Sequence, residues 1–571
     1  MNAHARDRAL QMPQGETLPY AVRHDPARRE DADRSDHGGA LLRLRAEPGV
    51  VRSAEVVLFV DEAPQRVAMT LRFADPHEEV WESEPAALDA PFTYYFRLQT
   101  ITGQALFGRT GLQASLPYEA RFQVEALAPL DVPSWARGAV FYQVFPDRFA
   151  RAHDDPTSDT HDLEAWDAEP TSSGFKGGTL RGITERLDAL AALGVDALWL
   201  NPVFRSPSNH GYDTIDFFAI EPRLGTAADL RALVDAAHTH GMRVVLDGVF
   251  NHVSDQHPFF LDVLERGADS PYWSWFTIRR WPVERRDDDH YAAWWGHGHL
   301  PELDLHHPDV QAYFLDVGRH WVREAGIDGW RLDVAGEVPL TFWRRFRDAV
   351  RAENPHAYLL AEVWGDARPF VQGDTFDATM HYAFRRTVQE FLRGALDATA
   401  CARHLERLYH RLPRSVAEAQ YNLLGSHDVS RVRYDLGGDV RLVEVAFAIQ
   451  FAYPGIAALY YGDEVGLTGE GDPGCRAAYP WDGPVPHDLR SHVARLSALR
   501  RAEPALRHGD LRCRARDPGI LEVTRTLDGD TVTLVVDRSA RSATWTLDTR
   551  EARRGETRDG SRTPEAATEA H

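Results

Sequence analysis

With 571 residues the chain exceeds the reach of one hydrophobic core, so several domains are expected. A hydrophobic share of 43% against 26% charged residues excludes a largely disordered chain. The formal charge is −22, and Lys176 is the single lysine among 64 basic residues that form no block, which argues against a nucleic-acid partner.

Residues 1–36 are rich in Arg, Asp and His without apolar periodicity and read as a mostly mobile N-terminal segment. That segment has no apolar stretch of signal-peptide length, and no uncharged apolar run of about 18 residues occurs anywhere, so no membrane partner is expected. Cys401, Cys475 and Cys513 are odd in number and form no CxxC pair. Buried free thiols in a reducing, cytoplasmic compartment fit that pattern.

From residue 37 to 128 short alternating runs such as VVLFV, VAMTLRF and FTYYFRLQT, separated by Pro, Gly and Asp, predict an all-β N-terminal domain, a β-sandwich. A proline-bearing linker, Ala126 to Gly138, follows. The period then changes: over residues 137–508 short apolar strands alternate with helical segments, the pattern of parallel βα units and hence of an α/β fold. Eight strands are expected, at Ala139–Phe145, Asp196–Leu200, Arg243–Val249, Gly329–Val334, Tyr358–Val363, Asp377–Tyr382, Tyr421–Ser426 and Ala457–Gly462. Eight such units imply a closed (β/α)8 TIM barrel. Between strands, Thr226 to His240 shows the helix logic, with a capping-box start at Thr226 and Asp229, one apolar face and a stop at Gly241.

The connection after the third strand, residues 253–309, is too long for a turn and rich in Trp, Tyr and His, so it is expected to form an inserted subdomain. Its Trp294, Trp295, His297 and His299 could shape a cleft or hold the insertion together. Residues 509–550 read as a short C-terminal β-domain and 551–571 as a polar tail.

In such barrels the loops after the strands converge, so functional groups sit at strand C-terminal ends. Strand three ends DGVFNH (Asp247, Asn251, His252), strand four GWRLDVAGEV (Arg331, Asp333), strand five AEVW (Glu362) and strand seven GSHD (His427, Asp428). One acid there could cap a helix or pair with an arginine. Four strands each ending in acid or imidazole ask for a functional cause, because strands disfavour such residues and buried charge is costly.

These strings, with GYDTIDF after strand two and YYGDEVGL after strand eight, closely resemble the α-amylase family of glycoside hydrolases over roughly Ala139 to Arg500. The N-terminal β-domain ending near SWARGAVFYQVFPDRF, with LPELD in the insertion, resembles the cyclomaltodextrinase, neopullulanase and maltodextrin-glucosidase branch. The resemblance implies a retaining hydrolase of α-1,4-glucosidic bonds in maltodextrins or cyclodextrins, with transglycosylation open. A family isomerase or a catalytically inactive binding subunit are the alternatives.

In that reading Asp333 is the nucleophile, Glu362 the general acid/base, and Asp428 stabilises the oxocarbenium-like transition state. Arg331 holds the nucleophile ionised, Tyr212 lies under the cleaved sugar, His252 and His427 donate to its hydroxyls, and Asp247, like Asp213, orients neighbours. Glu362 is expected to titrate high and Asp333 low. No cofactor is required; a structural calcium ion is left open, with Asn251 and the stretch His153 to Asp159 as candidate ligands. The sequence departs from its relatives at Gly336, where many carry a larger residue, and at Glu302, where lysine is common. A homodimer is implied, with the N-terminal domain packed on the partner's barrel.

Overall fold

The structure, a computed structural model, describes residues 21–34, 39–60, 63–86, 91–125, 127, 129–153 and 163–548. Residues 1–20 of the expected mobile segment, Asp154–Asp159 of the acidic stretch and the tail 551–571 lie outside the described residues. The chain forms two compact units, Met1–Asp131 with Arg403–Ala417, and Val132–Ala402 with Glu418–His571.

In the first unit ten strands join one antiparallel hydrogen-bonded sheet. Alternate residues of Phe92–Thr100 point inward, so Phe92, Tyr94, Phe96 and Leu98 share a core with Val56, Leu58 and Phe122. The sheet begins earlier than the sequence pattern suggests, because Val22–Arg23 and Ala32–Arg34 pair with Ala40–Ala46. Apolar alternation is hard to see there because the buried side chains include Asp31, held by Arg45 at 3.0 Å.

The second unit is built on the eight-stranded parallel barrel. Its strands are Val140–Val144, Ala197–Leu200, Arg243–Gly248, Gly329–Leu332, Tyr358–Ala361, Ala378–Thr379, Tyr421–Leu423 and Ile456–Tyr460. They pair in sequence order, the eighth lies beside the first, and a parallel bridge from Met380 to Tyr421 joins the sixth to the seventh. Bulky side chains including Phe141, Trp199, Val245, Tyr358 and Tyr421 fill the interior, so the barrel is a packed core rather than a pore.

The sixth strand is shorter than expected. Asp377 still gives its backbone N–H to the Leu359 carbonyl at 2.9 Å, while its carboxylate takes Arg347 and Arg351, each at 2.9 Å, and the Leu359 N–H at 2.8 Å. Tyr382, expected to end the strand, instead starts the helix Tyr382–Leu392. The helix Ala227–Thr239 has the expected capping box: the Thr226 hydroxyl accepts the Asp229 N–H at 3.2 Å and the Asp229 carboxylate accepts the Thr226 N–H at 2.9 Å. A four-stranded antiparallel meander, Asp510–Asp517 to Ser542–Asp548, closes the unit. Arg525 ties it to the rest of the unit, donating to the carbonyls of Ala452 and Leu506.

Lys176 is fully buried. Its ammonium donates to the carbonyls of Ala165 at 2.6 Å and Ala168 at 2.8 Å and lies 3.3 Å from the Glu164 carboxylate. Its backbone N–H and that of Gly177 bond the buried Asp147 carboxylate, just after the first barrel strand. One charged side chain thus binds a loop to the barrel. Lys176→Ala should cost about 1–3 kcal/mol, since the carbonyls of Ala165 and Ala168 and the Glu164 carboxylate lose a buried donor. The check is a lower melting temperature in scanning fluorimetry; an unchanged one would remove the ammonium from the fold's support.

Candidate active site

Every residue singled out at a strand end lies in the second unit, and most meet at one guanidinium. Arg331 is completely buried on the fourth strand, in register with Asp247 on the third and Leu360 on the fifth. Its Nη1 donates to Asp333 at 2.7 Å and Asp247 at 2.9 Å, and its Nη2 lies 2.7 Å from Glu362 and 4.0 Å from Asp428. Four carboxylates around one cation cannot all be ionised cheaply.

Their proton affinities follow from that imbalance. Burial raises Asp247 to about 6 against the pull of Arg331, and burial followed by the charge of Glu362 raises Asp428 to about 7. Asp333 is pushed well above the ordinary carboxylate range, chiefly by burial, against the pull of Arg331 and with Glu362, Asp247 and Asp428 adding to the rise. Glu362 goes the other way. Burial pushes it up, but Arg331, the Val334 N–H at 3.0 Å and the Trp364 indole N–H at 3.0 Å pull it below its ordinary value. This reverses the order expected from sequence. The donors that converge on Glu362, two of them from a backbone turn and a tryptophan, carry no acid–base signature in the sequence.

The turn itself is strained. Val334, directly after Asp333, adopts φ 38° and ψ 41°, a left-handed conformation that β-branched residues rarely hold. That twist aims its N–H at Glu362 directly after Asp333. Sequence reading singled out Glu362 in AEVW but not Trp364 beside it, which stacks on Tyr382 at 3.7 Å and 10° while bonding the acid.

On the opposite side Tyr212 links the third and seventh strand ends. Its hydroxyl donates to Asp247 at 2.9 Å, meets His427 Nε2 at 2.5 Å and accepts from Asn201 at 2.9 Å. Its ring is half-buried and lies parallel to that of His427, with centroids 5.2 Å apart. His427 is held 3.1 Å from Asp428 and 2.8 Å from the Gln143 amide. Burial keeps it neutral at ordinary pH, well below the usual imidazole value, and burial lowers His252 to about 3. His252 Nε2 faces the Tyr212 carbonyl at 3.2 Å, and its ring stacks on Trp294. Asp213 stands apart from the carboxylate cluster and accepts from Ser206 at 2.6 Å. Trp199, Asn201 and Gln143, which the sequence reading did not single out, bond Asp247, Tyr212 and His427 from beneath.

The Asn251 side-chain amide meets the His252 ring at 3.5 Å and its backbone carbonyl accepts the Leu303 N–H; calcium takes about 6–8 oxygen ligands, and the other candidates, Asp154–Asp159, lie outside the described residues. Among the described residues Glu284, Asp287 and His290, on the inserted segment, bring three ligand atoms within 4.8 Å of one another, and Asn251 is not among them. Also among the described residues, no helix is long and apolar enough to cross a membrane.

A parallel barrel whose mouth gathers acids, neutral imidazoles and exposed aromatics has the build of a barrel glycosidase. The family model of the α-amylase catalytic domain matches residues 143–565. The chain belongs to the α-amylase family of glycoside hydrolases. It is 42% identical over 416 residues to a cyclomaltodextrinase of Geobacillus thermopakistaniensis, covering 72% of this chain and 70% of that one. It is 37% identical over 533 residues to neopullulanase 2 of Thermoactinomyces vulgaris, covering 89% of each. A solved cyclomaltodextrinase structure matches 91% of both chains with a TM-score of 0.85 at 37% identity.

The carboxylate cluster makes the fold sensitive to pH. Asp428 binds its proton more tightly folded, at about 7, than unfolded, so between pH 4 and pH 7 the unfolded chain holds fewer protons and stability falls as pH rises. Asp428→Asn removes that charge and should raise the melting temperature at pH 8 by a few degrees, with the gain shrinking towards pH 5. About 28% of the Asp428 side chain is exposed, so solvent screening keeps the effect small. Equal melting curves for both proteins across that range would refute the repulsion.

Proposed function

We propose that the protein is a retaining hydrolase of α-1,4-glucosidic bonds in short maltodextrins and cyclodextrins. The observation that carries this reading is the pairing of Asp333 and Glu362. Both carboxyls touch Arg331, at 2.7 Å each. Retaining enzymes hold the two groups about 5–5.5 Å apart, against about 6.5–9.5 Å in inverting enzymes, and two carboxyls on one guanidinium support the closer spacing. The named relatives, a cyclomaltodextrinase and a neopullulanase, support the substrate class.

In the proposed reaction the Asp333 oxygen attacks the anomeric carbon as the glycosidic bond breaks, and the leaving oxygen takes a proton from Glu362. The step needs Glu362 protonated and Asp333 ionised against Arg331, the reverse of the directions in which burial and the site's donors push the two groups. In the second half-reaction Glu362 takes a proton from water, whose oxygen displaces Asp333. Asp428, His427 and His252 are assigned to the sugar hydroxyls, Tyr212 to the ring face, and Asp247 to orienting Arg331 and Tyr212.

Asp333→Asn should lower kcat by at least ~10⁴-fold and Glu362→Gln by ~10²–10⁴-fold. Proton NMR of maltohexaose digestion should show the α-anomer released first; first release of the β-anomer would sink the retaining assignment.

The same reading includes action inside the cell, supported by three buried free cysteines, and a homodimer in which the N-terminal β-domain walls the partner's cleft. Deleting residues 1–128 should then yield a monomer with weaker activity on β-cyclodextrin and relatively better activity on soluble starch. Sedimentation of the full chain as a monomer at micromolar concentration, with the same substrate ranking after truncation, would remove the domain from specificity.

A further inference from the structure

Gln143 stands near the C-terminal end of the first barrel strand, two residues after Phe141, so both side chains point into the barrel interior. It is completely buried, and so, to within 1%, are its neighbours Asn201 and His427. A polar side chain enclosed in this way needs matched partners. Its amide nitrogen meets Asn201 Oδ1 at 2.9 Å and His427 Nδ1 at 2.8 Å, while its carbonyl oxygen accepts from no described residue. What the side chain offers its neighbours is a pair of N–H groups.

The direction of those bonds is set from the far end of a chain of contacts. Arg331 and the Trp199 indole can only donate, and they meet Asp247 at 2.9 Å and 3.2 Å, one on each oxygen. The Tyr212 hydroxyl gives its proton to the same carboxylate at 2.9 Å. Its oxygen is then free to accept, and it takes the Asn201 amide N–H at 2.9 Å, which turns Asn201 Oδ1 towards Gln143. An oxygen in that place calls for an N–H, so it is the nitrogen of Gln143, and not its oxygen, that also reaches His427 Nδ1. Burial, followed by the charges of Arg476 and Arg331, keeps the imidazole neutral, so the ring carries one proton. With Nδ1 accepting, that proton sits on Nε2, which faces the Tyr212 oxygen at 2.5 Å and Asp428 Oδ1 at 3.1 Å.

We infer that Gln143 is a positioning residue: by donating to Nδ1 it holds His427 as the Nε2–H tautomer, which makes the imidazole a donor to the sugar hydroxyl bound beside Asp428. The inference rests on the proposed role of His427 at the sugar hydroxyls, whereas the tautomer is a property of the protein without substrate. A hydroxyl has one proton to give. If it receives the Nε2–H, its own proton is left for the Asp428 carboxylate, and the two groups hold it in complementary senses. The opposite tautomer would present a bare Nε2 that competes with Asp428 for the same proton.

Nitrogen-15 NMR of the full chain labelled at histidine reads the tautomer directly, with His427→Gln used to assign the ring signals and the pH held at 8, where Asp247, raised to about 6, is ionised. The wild-type spectrum should show His427 with a bare Nδ1 and a protonated Nε2. A protonated Nδ1 overturns the inference, whatever becomes of the variants. In Gln143→Glu the carboxylate can only accept, so Nδ1 should gain a proton and kcat on maltohexaose should fall ~10²-fold with KM little changed, the scale of one lost transition-state donor. Gln143→Met removes the donor without imposing the wrong tautomer and should lose only ~10-fold, the scale of one hydrogen bond. A folded Gln143→Glu whose tautomer has switched at unchanged kcat overturns the inference, and so does full kcat in Gln143→Met. A merely structural glutamine would lower the melting temperature of both variants and leave the histidine signals in place. A wild-type protein that cleaves no glucan would count against the mechanism instead, with the tautomer read as before.

Discussion

The arrangement at the barrel mouth depends on the Arg331 guanidinium. A fully buried cation would be costly by itself, and so would a group of buried carboxylates. Each makes the other tolerable. Because the side chain is planar, it engages Asp333 and Asp247 from one nitrogen and Glu362 from the other, so strands three, four and five are bound at their ends by one residue. The cost left over is the excess of negative charge, and the cluster absorbs it by keeping protons on part of its members.

Local strain supports this arrangement. Val334 and Trp295 both occupy left-handed backbone; the first places its N–H on Glu362 and the second its exposed indole on Glu337. The packed barrel underneath, filled by Phe141, Trp199, Tyr358 and Tyr421, supplies the rigidity that holds such conformations. The same rigidity fixes Tyr212 against His427, so the imidazole keeps a single orientation and stays neutral.

Much of this was legible in the sequence. Barrel strands appear as short apolar runs, and their ends are marked by acids and imidazoles that a strand would otherwise reject, which is why Asp247, Arg331, Asp333, Glu362, His427 and Asp428 could be named. The sixth strand was overread because Asp377, His381 and Tyr382 look like strand residues, while their side chains serve Arg347, Asn422 and Trp364. The order of proton affinities was not legible at all. It depends on which donors reach Glu362 across space, and a backbone N–H belongs to every residue. Trp294 and Trp295 were ambiguous for a related reason: a tryptophan's letter does not tell whether its ring is enclosed or open.

Lys176 has a chemical consequence beyond holding its loop. It is the only lysine in the chain, and its ammonium is enclosed by two carbonyls and a carboxylate. The positive charge on the surface is therefore guanidinium, which stays protonated and is a poor nucleophile towards carbonyl compounds. Glycosidic hydrolysis releases sugars with free aldehyde ends, and these condense slowly with lysine amines to form Schiff bases. An enzyme bathed in such products offers them no accessible side-chain amine, so the modification that ages other proteins in concentrated sugar has no lysine here to act on.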